Sequence, residues 1–416
     1  MLQPKIVEAC FPEPVGAMSR IALIGNFLPR RCGVATFTTH IHDALCARYP
    51  DLATDVYAMD DGLGSYSYPP AVVSTIEQQK VAAYLQTAEM IARRGSDLIW
   101  IQHEFGIFGG PAGEHLLTLL EQVDVPVIIT LHTVLSDPSR EQRAVMDRLL
   151  GRASLVIVMA ERARAILCET YGAKGDRITV VPHGVPARAY QDPRHMRQML
   201  RQEERPTIMT FGLLAADKGI ETMIRAMPAI VAHCPSAIYR IVGATHPHVL
   251  AHEGEAYREG LQALACSLGV AGHLRWDNRF LDEPELLDQI ACADIYVTPY
   301  RNSAQITSGT LSYAAGLGKP IVSTPYVHAQ ELLADGRGCL VPFDDATLMA
   351  EAIVGLFQDA AKRDSMRDVI YRHSRDAVWT NVVSRILEVA RERVFVPVSD
   401  DQLPIELSEP FDCIAA

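Results

Sequence analysis

Strand-sized apolar runs alternate with helix-sized amphipathic segments along this chain, and the alternation stops once and starts again. Short apolar strands separated by helices and short loops bury themselves best in a parallel sheet covered by helices on both faces. In the first run, strands are expected over 20–26, 98–102, 126–132, 154–159 and 178–181, with helices over 34–46, 139–150 and 160–171. A polar, arginine-bearing stretch from Pro186 to Arg205 breaks the rhythm and suits a linker. The second run places strands over 207–214, 237–244, 273–277, 295–299, 320–324 and 338–342. After Lys218, the residues Ile220, Met223, Ile224, Met227, Ile230 and Val231 recur at helical spacing and make one apolar face. The expected architecture is α/β: two Rossmann-like doubly wound domains whose loops face a central cleft. Its divisions are a tail over 1–18, a first domain over 19–188, a linker over 189–205, a second domain over 206–374, a closing helix over 375–396 and a flexible acidic tail over 397–416.

Two domains also suit the length, since 416 residues exceed what one core usually organises. With 38 Lys plus Arg against 50 Asp plus Glu, the net charge of −12 repels a nucleic-acid backbone, although one basic pocket for a small phosphate is compatible with that field. The longest apolar runs fall far short of the roughly 20 residues of a spanning helix, and the first residues do not read as a signal peptide. No transmembrane segment is expected; peripheral membrane contact stays open, although no basic amphipathic helix argues for it. Nine scattered cysteines without a Cys-x-x-Cys pair read as reduced residues of a cytoplasmic protein. Gly-x-Ser-x-Gly, His-Glu-x-x-His and P-loop patterns are missing, the 14 histidines are dispersed, and Asp60-Asp61 reads as a solvated turn, so no metal site is expected.

Two turns carry candidate chemistry. Pro29-Arg30-Arg31-Cys32-Gly33-Val34 joins a strand to an amphipathic helix, where Gly33 either admits a phosphate to the helix amides or only shapes the turn. In the second run, the stretch from Phe211 through Gly212 to Lys218-Gly219 does the same. Lysine at a helix N-terminus is a suitable counter-charge for a departing diphosphate.

Gly33, Thr130-Leu131-His132-Thr133, Val181-Pro182-His183-Gly184-Val185, the 212–219 turn and Gly318-Lys319-Pro320-Ile321-Val322-Ser323 come in one order and spacing. Together they resemble the retaining glycosyltransferase family 4, over nearly all of 20–393. The resemblance implies the GT-B fold and transfer of a hexose from a nucleotide-diphosphate sugar, with GDP-mannose slightly preferred, to a saccharide or glycoconjugate acceptor. It implies retention of configuration by front-face substitution, the departing phosphate taking the acceptor's proton, and no cofactor or metal beyond the donor itself. By the same resemblance His132 lies beside the transferred sugar, Lys218 and Gly212 belong to the diphosphate turn, and Gly33 faces the diphosphate. His103-Glu104-Phe105-Gly106, after another strand, is a candidate for the acceptor side.

Several positions depart from the family pattern. Leu213 stands where an arginine is usual, which leaves Arg279 and Arg301 as replacement cations. The family's two glutamates, separated by seven residues, align with Gln305 and Tyr313. Gln305 and the amides of Ile306, Thr307, Ser308 and Gly309 could still bind sugar hydroxyls, Tyr313 could offer its hydroxyl to the ribose, and Glu331 could supply the missing charge. His246 is either a wall of the nucleotide pocket or a turn residue before Pro247. These departures keep two rivals in view: a non-catalytic scaffold that binds sugar or nucleotide, and a phosphorylase or epimerase on the same architecture.

Overall fold

The computed structural model describes residues 18–62 and 66–395. Apart from Met18, the tails expected over 1–18 and 397–416 lie outside the described residues. Thirteen strands form two parallel sheets. The first sheet holds Arg20–Gly25 (β1), Ala53–Asp60 (β2), Val72–Glu77 (β3), Leu98–His103 (β4), Val127–Leu131 (β5), Leu155–Val158 (β6) and Ile178–Val180 (β7). The second holds Thr207–Phe211 (β8), Ile238–Val242 (β9), Leu274–Asp277 (β10), Ile295–Thr298 (β11), Ile321–Ser323 (β12) and Cys339–Leu340 (β13). Their orders are β3-β2-β1-β4-β5-β6-β7 and β10-β9-β8-β11-β12-β13. Every residue of β4, β5 and β8 is buried, as sheets covered on both faces require.

β2 and β3 fall where the sequence pattern predicts no strand. Asp55 interrupts the apolar run of β2, yet it is 5% exposed because Arg20 and Arg94 reach it at 2.8 and 2.6 Å. Burial alone would raise the Asp55 carboxyl, but hydrogen bonds from Arg94 and Arg20 outweigh it and hold the group below its ordinary range. The pair therefore allows a carboxylate inside a strand that composition alone reads as loop.

The helices that position the cleft are Gly33–Arg48 (α1), Glu161–Tyr171 (α2), Pro193–Met199 (α3), Ile220–His233 (α4), Glu283–Ala291 (α5), Gly309–Gly316 (α6), Val327–Leu332 (α7) and Trp379–Ala390 (α8). α3 lies in the stretch expected to be a bare linker. The Asp192 side chain caps it, accepting from the backbone N–H groups of Arg194 and His195 at 3.0 Å, and Pro193 stands at its first turn. Arg197 is buried there, paired with Asp294 at 2.9 Å and donating to the Cys292 carbonyl, so this segment docks on the second sheet. α8 crosses back to the first domain. Trp379, Val382, Val383, Ile386 and Leu387 pack with Phe37, Ile41 and Leu45 of α1, where truncating Trp379 to alanine costs about 3–5 kcal/mol. Val185 sits at both chain crossings: its N–H donates to the Ala377 carbonyl at 2.7 Å and its carbonyl accepts from Trp379 N–H at 3.2 Å. Among the described residues, no helix is long and apolar enough to cross a membrane.

Candidate functional site

Strand order reverses direction between β1 and β4 in one sheet and between β8 and β11 in the other. Loops after such neighbouring strands run to opposite faces and open a crevice at their carboxyl ends. Gly33 follows β1, Glu104 follows β4, the 212–219 turn follows β8, and Gln305 to Gly309 follow β11. His132 is one strand further along, after β5.

On the first-domain rim, His132 Nε2 lies 3.2 Å from Gln102 Oε1, and the ring meets Phe37 edge-on at 4.6 Å. Burial, followed by the nearby His183 and His103 rings, lowers its pKa to about 3, so the imidazole is neutral. With Gln102 Oε1 as acceptor, Nε2 carries the proton and Nδ1 keeps a lone pair. Gln102 Nε2 and both ring nitrogens of His103 are buried without a protein partner. Such groups cost about 1–3 kcal/mol each, and several together at a strand end are a feature of a ligand site. Glu104 accepts from the Thr133 hydroxyl at 2.6 Å and from Phe105 N–H at 3.0 Å, while burial raises its carboxyl pKa. Gly33 is the first residue of α1, capped by the Cys32 sulfur, and a Cβ built on it meets no atom within 4 Å. Its own neighbours do not demand glycine, and the Ala35 amide of the same turn is engaged by the Cys32 sulfur at 3.3 Å. Asp61, read from sequence as part of a solvated turn, instead pairs across the strand ends with Arg30 of the turn after β1 at 3.1 Å.

The second-domain rim is built from close backbone contacts. Gly219 has φ +59°, and a Cβ there would come within 2.0 Å of the Pro299 carbonyl; Gly243 has φ +142°, and its Cβ would meet Gly212 O at 2.0 Å. Only glycine lets these loops touch. Lys218 ends the short turn Ala216–Lys218 ahead of α4, its Nζ 3.1 Å from Asp217 and 4.5 Å above the Tyr300 ring. Arg301 braces the same turn: its N–H donates to the Asp217 carbonyl at 2.8 Å, and its guanidinium pairs with Asp344 at 2.8 Å and Glu221 at 3.5 Å.

Four sequence expectations change on this rim. Arg279 is held by Asp277 and Glu285, both at 2.7 Å, in an exposed network away from the Lys218 turn, whereas Arg301, although also paired with carboxylates, touches that turn directly and is the better-placed cation. Ser308 N–H donates to His328 Nδ1 at 2.8 Å, and the Ser308 hydroxyl caps α6, so that amide is not free for a sugar. Tyr313 is buried and its hydroxyl lies 2.7 Å from His40 Nδ1 of the first domain, which removes it from a ribose role. Glu331 accepts from the backbone N–H groups of Glu161 and Arg162 at 2.9 Å, capping α2 across the domain boundary, where four orphan amides and the helix dipole favour a carboxylate. Gln305 stays in the cleft loop, its Nε2 donating to the Thr307 carbonyl at 2.9 Å, while Ile306 packs into the first-domain core and Thr307 Oγ1 is buried without a partner.

The structure thus brings the 305–309 loop of one domain against histidines of both. A Cβ on Gly309 would sit 3.1 Å from His183 Nε2, and Phe37 touches the rings of both His132 and His183. Burial lowers His183 to about 4 and His328 to about 3, so these imidazoles are uncharged. Sequence reasoning assigned no role to His183, His328, Gln102 or His40. His183 lies inside a quoted motif and His328 inside the Glu331 segment, but neither spacing indicates what a histidine will face.

The family model described as Glycosyltransferase Family 4 matches residues 32–189, and that described as Glycosyl transferases group 1 matches residues 205–359, one on each domain. The chain belongs to glycosyltransferase family 4. Among its relatives is the D-inositol 3-phosphate glycosyltransferase of Thermomonospora curvata, 26% identical over 64% of this chain and 65% of that one. The phosphatidyl-myo-inositol mannosyltransferase of Mycolicibacterium smegmatis is 25% identical over 70% and 69%. The GDP-mannose-dependent alpha-(1-6)-phosphatidylinositol monomannoside mannosyltransferase of Mycobacterium tuberculosis is 26% identical over 84% and 92%. The first of these alignments spans just under two thirds of the relative's length. Among solved structures, sucrose-phosphate synthase of Thermosynechococcus elongatus superposes with a TM-score of 0.72 at 17% identity, covering 90% of this chain and 98% of that one. Anabaena HepE in complex with UDP-glucose superposes with a TM-score of 0.68 at 16% identity, covering 89% and 99%. These likenesses show the GT-B fold: two parallel-sheet domains of seven and six strands.

Proposed function

We propose that the chain moves a hexose from a nucleotide-diphosphate sugar to a saccharide or glycoconjugate acceptor with retention of configuration. The observation that carries this reading is the division of the cleft. Neutral imidazoles of His132 and His183 and the unpartnered Gln102 Nε2 belong to one side, and Lys218 with Arg301 stands at a helix N-terminus on the other. Uncharged donors and acceptors suit sugar hydroxyls, and fixed cations suit a diphosphate that gains charge as the glycosidic bond breaks. Lys218, Arg301 and the N-terminus of α4 stabilise the leaving group without requiring a metal. Gly33 lets the diphosphate approach α1. Glu104, with Thr133 beside His132, is the acceptor-side group. In a front-face substitution the bond to the leaving phosphate breaks, the acceptor oxygen bonds to the anomeric carbon from the same face, and the phosphate takes the acceptor proton.

GDP-mannose is the first donor to test, because two of the mannosyltransferase relatives are GDP-mannose-dependent by name. The net charge of −12 favours small-molecule partners over nucleic acid, and free cysteines throughout the described residues suit the cytoplasm. A thermal-shift and calorimetric panel of GDP-mannose, UDP-glucose, other nucleotide sugars and free nucleoside diphosphates tests the proposal. Selective binding is expected; silence across the panel from folded protein sinks it.

A further inference from the structure

We propose that His40 and Tyr313 are positioning residues: a first-domain imidazole is clasped at both ring nitrogens by second-domain groups, which fixes the angle at which the domains meet. This rests on the sugar-transfer reading only for its catalytic consequence. His40 is 8% exposed and lies on α1, about two turns behind Gly33. Its Nδ1 is 2.7 Å from the Tyr313 hydroxyl on α6, and its Nε2 is 3.1 Å from Glu283 Oε2 at the start of α5.

The proton positions follow from the partners. An ionised Glu283 can only accept, so Nε2–H donates to it; Nδ1 then holds a lone pair and accepts from Tyr313 O–H. Burial, reinforced by the Glu283 charge, holds the Tyr313 hydroxyl above its ordinary pKa, so it keeps that proton. In that tautomer one imidazole satisfies both second-domain groups.

The location gives the clasp leverage. The Trp379 ring lies 5.3 Å from His40, 4.9 Å from Phe37 and 5.6 Å from His183, beside the two chain crossings at Val185. Contacts there act as a bearing and not as a distant lid. Tyr313 is on the same short helix whose capped end presents Ser308 and Gly309 to His328 and His183. A rigid helix transmits displacement, so a shift at Tyr313 displaces the 305–309 loop against His183, whose ring shares Phe37 with His132. At a separate point, Glu331 holds the N-terminus of α2. With the crossings at Val185 these contacts determine an orientation that any one of them leaves free to rotate.

The test uses the full chain with Tyr313→Phe, His40→Ala, His40→Asn and Glu283→Ala. Small-angle X-ray scattering of ligand-free protein reads the domain angle, and hydrolysis of GDP-mannose and UDP-glucose, with water as acceptor, reads its consequence. Tyr313→Phe and His40→Ala are expected to enlarge the radius of gyration. They should lower kcat for hydrolysis about tenfold while KM changes less than threefold. His40→Asn places an amide oxygen near the Nδ1 position and is expected to recover most of both losses. Should a core variant fail to melt cooperatively, Glu283→Ala, at the exposed end of the clasp, is expected to give about a threefold loss. Scattering and kcat within experimental error of the parent in these variants overturn the proposal. Absence of hydrolysis by the parent counts against the transfer reading alone, since ligand-free scattering still decides the clasp.

Discussion

The two rims of the cleft differ in what they leave uncommitted. On the first domain, Gln102 Nε2 and both His103 nitrogens are buried with no protein partner, and His103, His132 and His183 are held neutral. On the second domain, Lys218, Arg301 and Arg279 each have a carboxylate, and the Ser308 amide, the Tyr313 hydroxyl and the Glu331 carboxylate are all engaged. Neutral hydrogen-bonding groups sort hydroxyls by geometry, whereas paired cations are held in place until an incoming phosphate replaces their carboxylates. On the proposed reading, one side recognises and the other stabilises charge.

The largest expected break in this comparison is Lys218→Ala. Loss of the lysine at the α4 N-terminus is expected to lower transfer by about 10²–10³ and to weaken nucleoside diphosphate binding at least tenfold by roughly the same logic. Calorimetry with GDP and UDP, together with steady-state rates, checks it; near-parental values would free the second rim of its assigned role. On the opposite rim, His132→Ala is expected to cost about 10² in kcat yet leave diphosphate affinity within about twofold. A matching loss of nucleotide affinity would mean that the rims do not divide the labour.

Acid tests the neutrality of the buried histidines. Burial holds His103 near 3, His328 near 3 and His183 near 4, below the ordinary 6.5. Between those values the unfolded chain binds more protons than the folded one. Stability is therefore complete above about pH 6.5 and falls as pH drops toward 4, by about 1.4 kcal/mol per pH unit for each such group. His103 stacks on Phe108 with its nitrogens unpaired, so His103→Leu is expected to flatten this slope by about one proton in denaturant melts at pH 7 and pH 5. An unchanged slope would mean the His103 ring is not excluded from protonation. Within the second rim, Arg301→Ala is expected to weaken diphosphate binding about tenfold, as loss of a charge-assisted contact does, and Arg279→Ala less than twofold. Reversed effects would restore the sequence-based choice of Arg279.

How far this was legible in the sequence follows the same division. The apolar strands and the glycines at 212 and 219 are visible because buried parallel strands and tight turns restrict residue type, and the motif order identifies the family. β2 escapes because Asp55 is neutralised by Arg20 and Arg94, which lie 35 and 39 positions away. α3 escapes because its arginine is buried against Asp294. Side-chain roles were the least legible. Glu331 and Arg279 were assigned by residue type and position after a strand, and Tyr313 by its match to the family's second glutamate, but each is engaged by a partner that this reasoning did not weigh: a helix terminus, a nearby acidic pair and a histidine of the other domain. Pairing depends on which groups folding brings together, and that does not follow from distance along the chain.

The smallest expected effect concerns the ribose. By the family resemblance, residue 313 is the position where a carboxylate grips the ribose hydroxyls, and a hydrogen bond to a charged group contributes about 1.5–3 kcal/mol, or roughly 10- to 150-fold in affinity. Here the Tyr313 hydroxyl is 2.7 Å from His40, and Glu331, the proposed substitute charge, caps α2. Neither reaches a nucleotide without breaking a domain contact. The 2′-hydroxyl is therefore expected to go largely unread, and GDP and 2′-deoxy-GDP should bind within about threefold of each other by calorimetry. A tenfold preference for GDP would show that a second-rim group does reach the ribose. The most direct explanation would be that Tyr313 leaves His40 when nucleotide binds, which would make the contact a switch and not a bearing.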